Sequence, residues 1–152
     1  MYAIYFDNGG GSAYNYSVKA NSQMLTPAAE AEPNNTIGNA PIASALPFLV
    51  TGATLSSVTD ADWVGIDVTP EDFGKRLRVL TAGPDPYTDT VVEIFKSNGT
   101  TTFGGPSRDS GFAENHTSPV LAEAGRYYVK VTASQDYFMD TNNQYVVALW
   151  LE

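Results

Sequence analysis

The 152-residue sequence has no cysteine, a single histidine and few basic residues. Without cysteine there is no disulfide, no thiolate nucleophile and no thiolate-bound zinc. One histidine excludes a metalloprotease helix, which needs two of them one turn apart. A Ser–His–Asp hydrolase would have to use His116 as its base. The surrounding "ENHTSP" offers no shaped serine turn, and no G-x-S-x-G elbow occurs anywhere. His116 reads instead as an exposed loop residue. Lys and Arg number 8 against 17 Asp and Glu, for a net charge of −9. Nucleic acid is excluded as a partner, because no basic stripe is available to displace counterions. The same sign disfavours anionic membranes and suits cations. No apolar run reaches the length needed to cross a bilayer, so no membrane insertion is expected. The glycines at 9–11 and 104–105 precede no lysine-bearing helix and read as turns, not phosphate cradles. With 17 acids, any carboxylate pair can be drawn, so none signals glycoside cleavage. No catalytic residue is assigned, and the chain is not expected to be an enzyme. Met1 leads into a strand pattern with no basic stretch and no cleavage site, as in a mature or excised piece.

What is present is alternation. Val64, Ile66 and Val68 alternate in "DWVGIDV", and Leu77 and Val79 sit between Arg76, Arg78 and Leu80. Val92 and Ile94 oppose Val91, Glu93 and Phe95. Tyr127, Val129 and Val131 alternate with Tyr128, Lys130 and Thr132, while Tyr145, Val147, Leu149 and Leu151 close the chain. A period of two places one face on a core and one in solvent. Turn chemistry separates the runs: "NGGG", "AGPDP", "SNGT", "FGGPSRDSG", "TNN". Only residues 40–46 and 70–73 suit a brief helix. With 43% hydrophobic residues the chain can bury a core, and the pattern predicts an all-β sandwich of antiparallel sheets.

The first twenty residues stand apart. "YAIYFDNGGGSAYNYSVKA" is strand, glycine loop, strand, and repeats the pattern of the C-terminal end. Tyr2, Ile4 and Phe6 fall on Tyr127, Val129 and Val131, and Tyr14, Tyr16 and Val18 fall on Tyr145, Val147 and Leu149. Two hairpins can look alike for no deeper reason, or the segment can be the closing hairpin of a preceding module. The predicted organisation is a strand segment over 1–20, a Pro-punctuated linker over 21–35 and a sandwich over 36–152. A lone hairpin is marginal in water, and these six side chains are too apolar to leave wet. Their destination is the chain's own body, another copy by strand addition, or a preceding repeat. Head-to-tail donation does not close on itself, so it builds a filament or a tandem array. The alternative is a substrate-binding module gripping protein or polysaccharide through the aromatics Tyr87, Phe103, Phe112 and Tyr137. For most of these, plugging the sandwich ends is the plainer role.

Glu30 and Glu32 lie on one side of an extended stretch, as do Asp60 and Asp62. Calcium takes six to eight hard oxygen ligands, which carboxylates and amides supply. Equally, "EPNN" is a turn, and Asp60 and Asp62 can satisfy backbone N–H groups there. N-x-S/T triplets at Asn15, Asn34, Asn98 and Asn115 are acceptor sites for glycans on a secreted chain, with Asn98 and Asn115 in predicted loops.

Four stretches, "EAEPNNT" (30–36), "DADWVGIDV" (60–68), "TVVEIFKSNGT" (90–100) and "AGRYYVKV" (124–131), occur in order. Together they resemble the bacterial pre-peptidase C-terminal domain, the family that includes the collagen-binding domains of clostridial collagenases. The resemblance implies a jelly-roll-like β-sandwich that is extracellular and without catalysis of its own. It implies a place behind a secreted peptidase, often in tandem, with collagen or another polymer as ligand in some members. It also implies calcium held by Glu30, Glu32, Asn34 and Asp62, with Asp60 beside them. The chain departs from the collagen-binding relatives at Asn35, where they carry an acid, and the lost charge should weaken binding or abolish it.

Overall fold

The computed structural model describes residues 19–20, 23–24, 27–83, 89–107, 113–134 and 143–152. Tyr2, Ile4, Phe6, Tyr14, Asn15, Tyr16, Val18, Tyr87, Phe112 and Tyr137 lie outside the described residues.

Alternating apolar side chains make strands, and the strands form two packed sheets. The first has the order β5 (Ala61–Val68), β10 (Gly125–Ala133), β7 (Thr90–Lys96), β8 (Thr102–Ser107), with every pairing antiparallel. The second has the order β3 (Ala28–Ala29), β4 (Phe48–Thr54), β11 (Gln144–Leu151), β6 (Arg76–Ala82), β9 (Asn115–Val120). Only the two-residue β3 runs parallel to its neighbour. The fold is an all-β sandwich. Val64, Ile66, Val92, Ile94, Val129 and Val131 from one sheet meet Leu77, Val79, Tyr145, Val147 and Leu149 from the other. A 3₁₀ turn, Pro70–Asp72, follows β5, its start closed by reciprocal bonds between Thr69 and Asp72. Among the described residues no helix is long and apolar enough to cross a membrane.

Several expectations change. Residues 40–46 form no helix; Ile42 bridges Gly65 instead, with Ala43 N–H donating to Gly65 O at 2.9 Å and Gly65 N–H to Pro41 O at 2.8 Å. The free edge of β5 wins this segment because its open backbone groups need partners. The stretch expected as a linker over 21–35 carries structure of its own. Gln23–Met24 (β2) pairs with Lys19–Ala20 (β1), and β3 lies on β4. His116 belongs to edge strand β9 and is half-buried, so it is not an exposed loop residue. Phe103 belongs to β8 and packs edge-on against Tyr127, with ring centroids 4.9 Å apart, so it serves the core and not a ligand surface. Asn115 opens β9, where it accepts from Arg78, while Asn98 caps the exposed β7–β8 turn by accepting the amides of Thr100 and Thr101.

Both outward sheet faces carry apolar residues as well. Trp63, Phe95 and Tyr128 cluster on the outside of the first sheet and are covered by Ile37 and Ala40. Leu49, Val146, Ala148 and Trp150 cluster on the outside of the second.

Candidate metal centre

Residues 27–36 lead into the sandwich along the open end between β4 and β5. The chain is held there by both sheets. β3 pairs with Val50 and Thr51 of β4, and Trp63 N–H of β5 donates to Asn34 O at 3.1 Å. This path brings Glu30, Glu32 and Asn34 against the start of β5.

Glu30, Glu32 and Asp62 each place a carboxylate oxygen within 4.8 Å of the others. Glu30 Oε2 accepts the Thr54 amide at 2.9 Å and its hydroxyl at 3.1 Å. Glu32 Oε2 accepts the Asn34 amide at 2.8 Å. Asp62 Oδ2 accepts the hydroxyl of Tyr145 at 2.5 Å. These bonds fix one oxygen of each carboxylate. Asn34 Nδ2 donates to Glu30 Oε1 at 3.4 Å, so the amide stands against the same group. Its oxygen, Asn34 Oδ1, has no hydrogen-bond partner, and neither has Asp62 Oδ1. Both residues are only 3% exposed. A buried acceptor without a donor costs of the order of 1–3 kcal/mol, so two beside three acids favour a proton or a bound cation there. None of the ion pairs among the described residues supplies a Lys or Arg to this cluster.

The electrostatics agree. Burial pushes the Asp62 carboxyl up to about 8; the Tyr145 hydroxyl opposes this, and Glu30, Asp60 and Glu32 add to it. Glu30 is raised too, first by burial, against the lowering effect of its Thr54 bonds. Burial and the neighbouring acid carry the Tyr145 hydroxyl well above its usual range. Three carboxylates, one amide oxygen and no nitrogen or sulfur ligand form a hard-oxygen set, which fits calcium and not zinc. A cavity of about 60 Å³, lined by Glu30, Asn34, Asp62 and Tyr145 among apolar residues, lies at the cluster.

Four of the five sequence-predicted ligands, Glu30, Glu32, Asn34 and Asp62, are thus brought together. Asp60 is turned to a different task. Its Oδ2 accepts the amide and hydroxyl of Ser56, both at 2.6 Å, and its Oδ1 accepts Ala61 N–H at 2.9 Å and Asn35 Nδ2 at 2.6 Å. That is the turn role open to it in the sequence. Asn34 cannot serve as a glycan acceptor in the folded chain, since its amide nitrogen is buried against Glu30. Alternation with Val147 and Leu149 marks Tyr145 as an inward-facing residue and carries no sign of a hydroxyl reaching an acid on the other sheet.

No family model matches the chain, and no curated protein matches it. Among solved structures it is similar to the pre-peptidase C-terminal domain of a collagenase from Bacillus anthracis. The likeness covers 74% of this chain and 94% of that one, at 10% identity and a TM-score of 0.49.

Proposed function

We propose that this chain is a non-catalytic structural module of an extracellular protein, a β-sandwich that takes up calcium at Glu30, Glu32, Asn34 and Asp62 and thereby locks its entering segment. The observation that carries this reading is the pair of buried, unpartnered oxygens, Asn34 Oδ1 and Asp62 Oδ1, within a cluster of carboxylates. Calcium supplies the positive charge that no ion pair among the described residues provides. Glu30, already anchored on Thr54, and Asn34, anchored through Trp63, hold the entering segment; Asp62 holds β5. Ligation from both sides ties the two together. A site with four protein groups and open positions for water suits the millimolar calcium found outside cells.

The entering segment is also the route by which copies join. Residues 1–20 link one sandwich to the next, head to tail, in a tandem array or filament. Supporting this, the six apolar side chains Tyr2, Ile4, Phe6, Tyr14, Tyr16 and Val18 require a surface to lie on. A second reading, an accessory domain that binds collagen or polysaccharide, draws on an open groove of about 540 Å³ on the first sheet. Val58, Asp60, Glu93, Pro106, Lys130 and Thr132 line it.

The test is calorimetric and hydrodynamic. Calcium at millimolar concentration should raise the melting temperature, and Asp62→Asn should abolish the rise. Sedimentation velocity should show concentration-dependent association that is lost when residues 1–20 are removed. A melting temperature indifferent to calcium removes the metal reading, and a monomer at all concentrations removes the joining reading.

A further inference from the structure

The outward face of the second sheet is dry, and nothing in the two sheets makes it so. Register places Leu49, Ala148 and Leu80 in one row across β4, β11 and β6, with Val146 beside Ala82 in the next row and Trp150 beside Arg78 on the other side. Leu49 is 1% exposed, Val146 1% and Ala148 2%. Their partners in the cluster, Leu80, Ala82 and Trp150, all belong to the same sheet. Neighbours within one sheet cannot close its face to water, because side chains on a face stand roughly perpendicular to it. A second layer has to lie on top. The first sheet already lies on the opposite face, so the cover comes from elsewhere.

The chain's own path indicates the source. β3, at the edge of this same sheet, is paired to β4, and the chain before it arrives there. Strands in a sheet are about 4.8 Å apart, so the row from Leu49 to Leu80 is roughly 10 Å wide. Lys19 stands opposite Met24 in the β1–β2 pair, so the chain before Lys19 departs from beside Met24, and the four steps from Met24 to Ala28 span about 13 Å when extended, enough to cross the row. Residues 2–18 offer six apolar side chains in two runs of period two, the pattern of a layer with one face to bury. The sheet edges are poor alternatives. β5 is covered by residues 41–43, Pro106 interrupts β8, Pro119 interrupts β9, and β4 is taken by β3 and by Glu30 on the Thr54 amide.

We propose that the outward face of β4, β11 and β6, centred on Leu49, Ala148 and Leu80, is the docking surface for residues 2–18 of this chain. This rests on the reading of residues 1–20 as a docking segment, and names where that segment goes. It packs as a third layer over a sheet face; it does not extend a sheet by strand addition. An isolated copy seats its own segment. The same contact made with a neighbour's segment is what joins copies, so the face is the acceptor in either case.

The absence of cysteine makes cross-linking clean. Full-length chains carrying Ala82→Cys or Leu80→Cys together with a cysteine at Tyr2, Phe6, Tyr14 or Tyr16 are treated with a short bismaleimide. At least one pairing should cross-link in high yield, while the same N-terminal cysteines paired with Thr132→Cys, on the far side of the sandwich, should not. An intramolecular product supports the proposal with the chain's own segment as occupant. An intermolecular ladder supports it with a neighbour's segment. Failure of every pairing, or equal yield with Thr132→Cys, overturns it. A second measurement guards against variants that do not fold. In Trp63→Phe, Trp150 is the sole tryptophan, and removing residues 1–20 should increase its quenching by acrylamide severalfold; unchanged quenching overturns the proposal. Sedimentation of the same proteins separates this from the joining reading. Cross-links without association leave the docking face and remove the joining, whereas association without cross-links does the reverse.

Discussion

Tyr145 and Asp62, 83 residues apart, are joined across the two sheets by a 2.5 Å hydrogen bond from the phenol to the carboxylate. Tyr145 comes from β11 and Asp62 from β5, so this is a buried polar tie between the sheets, as is the bond between Thr81 of β6 and Thr90 of β7. The phenol is the donor that Asp62 Oδ2 has, while Asp62 Oδ1 has none. Tyr145→Phe keeps the ring and removes the donor. It should destabilise the fold by about 1–3 kcal/mol, the usual cost of orphaning a buried acceptor. The loss should be larger at pH 9 than at pH 5, since a protonated Asp62 needs the donor less. Urea unfolding at the two pH values measures both effects.

The metal-free chain should become less stable as pH rises. Asp62 has a folded-state value near 8 against an ordinary 3.8, so the folded state holds its proton where the unfolded state has lost it. Stability from this group is therefore full below about pH 4 and declines as pH climbs toward 8. Calcium reverses the slope, because it favours the ionised carboxylates and its uptake releases protons. Melting temperatures from pH 5 to 8 should fall in a chelator and hold or rise in millimolar calcium. At a hundredfold excess over the dissociation constant, calcium should add about 2.7 kcal/mol. In Asp62→Asn the slope should shrink sharply and the calcium response should vanish.

Asn35 offers the reciprocal change. Its Nδ2 donates to Asp60 Oδ1 at 2.6 Å, so it binds the acid that stayed out of the cluster. Asn35→Asp exchanges that bond for a repulsion and adds a carboxylate beside Asp60, whose charge already acts on Asp62. The metal-free melting temperature should drop by several degrees, consistent with roughly 1–2 kcal/mol for a small domain. The calcium-dependent rise should grow, because ligand charge sets calcium affinity. Calcium titration followed by calorimetry distinguishes this from plain destabilisation, in which the rise would stay as it is in the parent.

The sandwich was legible in the sequence because β5, β6, β7 and β10 each carry a period of two in their core-facing residues. The edge strands β8 and β9 were not legible. "TFGGPS" and "NHTSPV" look like turns, since an edge strand pairs on one side only and tolerates Gly105, Pro106 and Pro119. Alternation also predicted wet outer faces, and there it misled. Trp63, Phe95 and Tyr128 point outward yet are buried under residues 37–40, which no local signal predicts. In β11 the warning was present: "YVVALWL" is apolar at every position, the mark of a strand covered on both faces. For the acidic cluster, spacing gave the candidate residues. Spacing could not separate Asp60 from Asp62, because that choice turns on Ser56 and Asn35, which are brought to Asp60 by the turn itself.

Two glycines test how firmly the sheet edges are built. Gly105 has φ of +96°, and a Cβ there would stand 2.6 Å from Val92 O and 3.0 Å from Glu93 Cα. Both obstacles are backbone atoms of β7, so neither can swing aside, and the conformation itself disfavours any L side chain. Gly65 is crowded differently. A Cβ there meets Ile42 Cδ1, the tip of an exposed and flexible side chain, and then Tyr128 Cε1 at 3.3 Å. Its φ is ordinary, and Ile42 can rotate away. Gly105→Ala should therefore cost about 3 kcal/mol or more, through strain and a disturbed β7–β8 ladder, and Gly65→Ala about 1–2 kcal/mol. Denaturant unfolding of the two variants checks the order. Equal losses would mean that β8 is free to move off β7, and that the edge closed by Pro106 is softer than its hydrogen bonds indicate.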